Sequence, residues 1–220
     1  MPVIFPLGRY RLPASPEPGA TPRPASACRG SATLIGVTEF TPVSFPESFP
    51  MPKYASPGDL AAALSGWASG VTLVTLSDDR DDIGTTVSAF CPVSLDPPMV
   101  LVSLLAESYP AEVLSRPSLP AARFAVTMLS ASQRVLAGQF AASGRPSARL
   151  ILEDVEHLRG TDSGALIPLG GVAALECSVA RRVPAGDHLL VISNVTGVAY
   201  AAESGDPLIR LRGRYPRLSL

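Results

Sequence analysis

From Val71 to Val198 the apolar residues fall into short runs broken by Gly, Pro, Asp and Ser. Short runs bounded by turn residues are the mark of strands. Val71–Leu76 reads as the first. Gly84-Thr-Thr-Val87 opens the second with β-branched residues. The chain then passes the small residues Ser88 and Ala89 and turns at Asp96-Pro97-Pro98 into the buried run Met99–Leu105. Arg123–Met128, Leu150–Val155, Val172–Val179 and His188–Val198 follow, with Pro184–Asp187 as a turn. Leu208–Leu211 and Tyr215–Leu218 are short closing segments.

Helical spacing appears in three places. Asp59 is placed to cap a helix through Leu60–Trp67, with Leu60, Leu64 and Trp67 on one face and Trp67 as a core anchor. Ser108 is placed to cap Pro110–Leu114. Ser130 and Gln133 have capping-box spacing and open a helix to Ala142, with Val135, Leu136 and Phe140 facing the core. Strands outnumber helices, which predicts a mainly β fold, an antiparallel barrel with a few covering helices.

The corner between the Gly84 and Met99 strands is the candidate site. Its small residues, hydroxyls and turn amides can hold an anion without a positive side chain. The same residues also suit a plain hairpin. Ser108 serves equally as a helix cap or a phosphate ligand. The acidic turn Asp78–Asp82 reads as a solvated loop. Residues 1–56 are rich in proline and lack any period, so they read as a disordered extension to a folded domain at 57–220. Met51, just before that domain, is a candidate natural start. No compact apolar segment near the N-terminus has the form of a signal peptide.

Composition narrows the chemistry. Hydrophobic residues make up 46%, which supports a sizeable core, and the formal net charge of -1 gives no footprint for nucleic acid or a membrane surface. No apolar run reaches the roughly 18 residues of a transmembrane helix. Cys28, Cys91 and Cys177 are odd in number and widely spaced, which argues against a disulfide framework or a zinc site and for a reducing cytoplasm. Lys53 is the only lysine, so the folded part has none for a Schiff base. Dinucleotide, P-loop, zinc-protease and nucleophile-elbow motifs are absent. His157 and His188 are the only histidines, too few for a triad or a His-rich metal centre. Any reaction is then carried by a bound cofactor.

The order of segments resembles the flavin reductase-like family, with the FMN-binding split-barrel fold. The resemblance rests on Ala68–Thr75, Gly84–Phe90, Val93–Pro98, Phe124–Ser130, Gln133, Gln139–Ala141, Ala174–Cys177, Gly186-Asp-His188 and Gly213–Tyr215. It implies an antiparallel split β-barrel and a homodimer, with FMN or FAD near the subunit interface and NADH or NADPH as reductant. It also implies a flavin-dependent monooxygenase as the partner that receives reduced flavin. By position, Thr86, Ser88 and Ala89 would line the flavin. Ser94, Leu95 and Asp96 would hold the isoalloxazine edge and ribityl chain. Ser108 would take the phosphate, with Ser130 close by. Gly186, Asp187 and His188 would form the nicotinamide side. Thr127 departs from the family's common asparagine, and the Arg149-Leu150 loop lacks its usual phenylalanine. A flavin-binding module without turnover, or an FMN enzyme acting directly on an organic substrate, has the same signature. Arg181, Arg182 and Arg210 are candidates for a 2′-phosphate.

Overall fold

The apolar run that begins at Val71 is buried on both faces, and the two larger cores form on either side of it. Val74 and Leu76 pack with Val102, Phe124 and Val191 on one face. Val71 and Leu73 pack with Leu136, Phe140 and Leu152 on the other. The computed structural model describes residues 54–79, 81–116 and 122–217. The proline-rich stretch to residue 53, with Cys28, Met51 and Lys53, lies outside the described residues, as do Arg80 and Leu218.

In chain order the elements begin with α1 (Pro57–Ser65), β1 (Ser69–Gly70), β2 (Thr72–Asp78), β3 (Asp81–Val87), β4 (Phe90–Leu95) and β5 (Pro98–Leu105). Next come α2 (Tyr109–Ser115), β6 (Arg123–Met128), α3 (Arg134–Ala141), α4 (Ala148–Ile151), β7 (His157–Arg159) and β8 (Leu166–Pro168). β9 (Ala173–Ala185), β10 (His188–Ala201) and β11 (Ile209–Arg210) close the chain. Seven strands form one antiparallel sheet in the order β3-β2-β6-β9-β10-β5-β4. Its two edges, β3 and β4, are consecutive in sequence and do not pair with each other. Ser88 and Ala89 alone join them. The sheet therefore curls until its edges meet at a two-residue corner, the opening of a split barrel. Val113 and Leu114 of α2 are buried in the first core.

Several expectations are corrected. Ser56, and not Asp59, caps α1: its Oγ accepts from the Asp59 N–H at 3.1 Å and donates to the Asp59 carboxylate at 2.7 Å. The helix stops at Ser65 with Gly66 as its C-cap, so Trp67 lies beyond the stripe of Leu60 and Leu64; Trp67 is 76% exposed and α1 buries no residue. A stripe predicts burial only where another element covers it, and none of the described elements covers this one. The expected strand Leu150–Val155 is instead the helix α4 followed by a turn. A short apolar run does not distinguish helix from strand, and here Ile151 and Leu152 pack against the α3 side of the core. Val135 is exposed because Leu136, Ala137 and Phe140 form the buried face of α3.

The acidic turn is not simply solvated either. Asp82 is 2% exposed and sits 2.9 Å from the Arg159 guanidinium, with Arg149 3.5 Å away. Asp78 meets Arg116 at 2.7 Å and accepts from the Tyr109 hydroxyl at 2.6 Å. The partners come from β7, α4 and α2, remote in sequence, so the local charge pattern could not reveal them. Hydrogen bonds from Arg159 hold the Asp82 carboxyl below its usual value of 3.8. Folding thus favours the ionised form. This contribution is fully present above pH 3.8 and is lost as pH falls through the lower folded value. Urea unfolding midpoints of Asp82→Asn are expected to be lower at pH 7 and to fall less steeply below pH 4 than those of the wild type.

Gly84 shows why a strand carries a glycine here. A Cβ at this position would lie 2.4 Å from the Phe140 ring, which is fully buried. Alanine must push α3 outward or twist the ring off its rotamer. Overpacking of this kind costs about 1–3 kcal/mol. Gly84→Ala should lose stability in that range, and adding Phe140→Leu should return part of it, a coupling that equilibrium unfolding of the double variant measures.

Candidate functional site

The Ser88–Ala89 corner opens into a cleft of about 330 Å³. β3 supplies Thr85 and Thr86, and β5 supplies Ser103 and Leu105. The Ser103 N–H donates to the Ala89 carbonyl at 2.9 Å and fixes the corner. Ser108 and Arg145 line the cleft, as does His188. Its walls are small and mostly neutral, and its volume is in the range of small-molecule sites.

His188 reaches the cleft through a tight hairpin. Ala185 and His188 are paired, so Gly186 and Asp187 form a two-residue turn, and Gly186 takes φ +63°, where glycine is favoured. The Asp187 carbonyl accepts from the Ala106 N–H at 2.9 Å, which ties the turn to the end of β5. His188 Nδ1 lies 2.7 Å from the Asp187 carboxylate, leaving Nε2 outside that contact. The same bond holds the Asp187 carboxyl below its usual range.

The structure brings together Thr86, Ser88, Ala89, Ser108 and His188, with Gly186 and Asp187 directly behind His188. It does not bring in Ser94, Leu95 and Asp96. They sit at the far end of the β4–β5 hairpin, where Leu95 pairs with Pro98 and Asp96–Pro97 is a cis peptide. At about 3.3 Å per residue, that is roughly 15–20 Å from the corner. Leu95 is exposed there. Ser130 is also outside the cleft: its hydroxyl donates to the Gly170 carbonyl at 2.7 Å, and its N–H takes the Gln133 side chain at 3.1 Å, the expected capping box. Ser108 caps α2 as expected, with its Oγ accepting from the Ala111 N–H at 3.4 Å.

The residue that the sequence did not single out is Arg145. Its Nε donates to the Gly84 carbonyl at 2.8 Å and its Nη1 to the Ala142 carbonyl at 3.3 Å. Among the described residues no carboxylate pairs with it. Burial pulls its guanidinium below the usual range. A half-buried cation satisfied only by carbonyls is complementary to an anion. Positive charge at the corner therefore comes from a side chain, and not from amides near Asp96, where two of the residues are prolines without an N–H. The only local signal was Gly144-Arg145-Pro146, in which the proline biases Arg145 to extended backbone.

Among the described residues no group of three His, Cys, Asp or Glu side chains could hold a metal ion, and no helix is long and apolar enough to cross a membrane. His157 is exposed, with Nδ1 2.7 Å from the Val155 carbonyl. Cys177 is buried, which pushes its thiol up to about 12.

A family model described as "Flavin reductase like domain" matches residues 64–219. The chain belongs to the flavin reductase-like family. It is 37% identical over 159 residues to FMN reductase (NADH) SmoA of Agrobacterium fabrum, covering 71% of this chain and 83% of that one. It is 36% identical over 156 residues to the reductase component of 4-hydroxyphenylacetate 3-monooxygenase from Thermus thermophilus, covering 71% and 93%. Among solved structures it resembles the Streptomyces globisporus NADH:FAD oxidoreductase SgcE6 in complex with NAD and FAD fragments. That match has a TM-score of 0.66 and 28% identity over 76% of this chain and 98% of that one. The two family departures lie off the cleft: Thr127 is fully buried with its hydroxyl unpartnered, and Arg149 pairs with Asp82.

Proposed function

We propose that the protein is an NADH-dependent flavin reductase whose flavin ring occupies the Ser88–Ala89 cleft, with its phosphate at Arg145 and Ser108. The observation that carries this reading is Arg145 itself, a half-buried guanidinium with only carbonyl partners at the edge of a small-residue cleft. The cleft fits the cofactor in chemistry as well. It offers room and hydroxyls for an aromatic ring and its polyol chain, and a cation for the phosphate. A flavin held there would supply the two-electron acceptor for the hydride of the reduced nicotinamide. The protein's share is orientation. Thr86, Ser88 and Ala89 hold one side of the ring, and His188 bounds the side from which the nicotinamide enters. Holding two reactants in a near-attack pose lowers the barrier by several kcal/mol without an acid or base.

Relatives named as monooxygenase and halogenase reductase components support a separate flavin-dependent oxygenase as the consumer of reduced flavin. The working unit is a homodimer in the cytoplasm. The exposed Leu60 and Leu64 of α1, with Trp67 exposed just beyond it, support a subunit interface there. The folded domain is residues 57–220, preceded by the proline-rich extension.

Purified protein mixed with NADH and FMN or FAD should consume NADH, followed at the nicotinamide absorbance band, at a rate that depends on added flavin. Absence of consumption with either flavin would reject the reading. His188→Ala should raise the nicotinamide KM by about 3–10-fold and leave flavin affinity unchanged, the mark of lost nicotinamide binding alone. Unchanged kinetics would remove His188 from the site.

A further inference from the structure

Three arginines from one stretch of chain are fastened to one strand. Arg145 precedes α4, Arg149 lies in α4 and Arg159 lies in β7. The Arg145 Nε donates to the Gly84 carbonyl of β3 at 2.8 Å. The Arg149 Nε and Nη2 each lie 3.5 Å from Oδ2 of Asp82, two residues before Gly84 on the same strand. The Arg159 guanidinium takes both Asp82 oxygens, Nη1 on Oδ1 and Nη2 on Oδ2, each at 2.9 Å.

This fastening matters because the stretch that carries Arg145 is not packed down. A cleft of about 360 Å³ has Asp82 and Gly84 on one wall and Gly144, Arg145, Pro146 and Ser147 on the other. Gly144 and Pro146 are exposed. Buried apolar anchors begin only at Ala148 and recur at Leu152. Among the described residues, the side-chain hydrogen bonds that cross from residues 144–151 to β3 are those of Arg145 and Arg149.

The two sides of the Arg149 pair are unequal. The Asp82 side chain is 2% exposed, whereas that of Arg149 is 67% exposed. Arg159 grips both oxygens, so the carboxylate cannot turn. The fixed partner is therefore Asp82, and the mobile one is brought to it.

We propose that Asp82 is a positioning residue for the flavin phosphate: locked by Arg159, it holds Arg149, and so keeps Arg145, four residues upstream, at the edge of the corner cleft. This rests on the reading that places that phosphate at Arg145. Asp82 acts through the arginines and not on the cofactor. Its charge is answered by Arg159, so it does not oppose the phosphate.

Riboflavin has the ring and polyol chain of FMN but no phosphate, so comparing the two isolates the Arg145 end. The test is the dissociation constant of each, read from flavin fluorescence, at a temperature where every variant is shown to be folded. Asp82→Asn and Arg149→Gln should each raise the FMN constant by about 3–10-fold and leave that of riboflavin within about twofold. Adding Asp82→Asn to Arg145→Gln should weaken FMN no further than Arg145→Gln alone, since both remove one interaction. If Asp82→Asn does not fold, Arg149→Gln carries the test, because its exposed side chain can be replaced without touching the core. Unchanged FMN affinity in Arg149→Gln overturns the inference. Equal weakening of FMN and riboflavin in Asp82→Asn overturns it too, since that is the mark of a merely structural role. Additive losses in the double variant do the same. In each of these cases a loss of FMN affinity in Arg145→Gln leaves the phosphate reading standing. An Arg145→Gln protein that binds FMN as the wild type does defeats that reading and this inference together.

Discussion

Ala89→Trp is expected to abolish flavin binding and leave the fold intact. Ala89 is exposed at the corner between the two sheet edges and lines the cleft. Its backbone does the structural work, since the Ala89 carbonyl receives the Ser103 N–H at 2.9 Å whatever the side chain. An indole there takes up a large part of a 330 Å³ space that the proposed isoalloxazine ring must share. The flavin dissociation constant should rise by at least about 100-fold, equivalent to about 3 kcal/mol. The melting temperature should move little, because nothing in the core is altered. A variant that binds flavin as the wild type does would place the ring elsewhere.

Glu176→Ala carries the largest expected loss of stability. Glu176 is 5% exposed on β9, in the middle of the sheet. Its Oε1 accepts from the N–H groups of Asp162 and Ser163 at 3.0 and 2.7 Å and from the Ser163 hydroxyl at 2.7 Å, while the Thr161 hydroxyl lies 3.4 Å from Oε2. One carboxylate thus organises the whole turn between β7 and β8. Gly160 comes so close that a Cβ there would collide with Oε1, so the turn has no slack. Removing the carboxylate leaves the N–H groups of Asp162 and Ser163 without their acceptor and takes the acceptor from two hydroxyls, and should cost about 2–4 kcal/mol. Glu176→Gln keeps one carbonyl oxygen for the three shorter bonds and should cost about 1 kcal/mol. Denaturant unfolding of both variants checks the ordering, and equal losses would contradict the account of Oε1.

β2, β3, β5, β6, β9 and β10 were legible because they are apolar or β-branched runs closed by turn residues, whereas Leu150–Val155 had the same look and is helical. The Ser130–Gln133 box and the Ser108 cap were legible because capping is a local matter of three residues. Two features were not legible for physical reasons. The exposure of Leu60, Leu64 and Trp67 depends on what covers them, and a group of apolar residues reads the same whether its cover is this chain or another surface. The burial of Asp82 depends on Arg159, whose sequence distance hides the pair. At the site, the residues beside the corner were found because the chain itself turns there. Ser94, Leu95 and Asp96 were placed with them by position in the resembled family, yet β4 carries them the length of a strand from the corner. Arg145 was missed because an arginine in a loop is usually solvated. Only the folded chain shows its guanidinium resting on the Gly84 carbonyl.

The most direct test of the central claim is a crystal structure of the protein grown with excess FMN. The account predicts the isoalloxazine ring against Ser88 and Ala89, between the unpaired edges of the sheet, with its phosphate within hydrogen-bond distance of Arg145. A flavin found away from this corner, with Arg145 still bonded only to carbonyls, would contradict it.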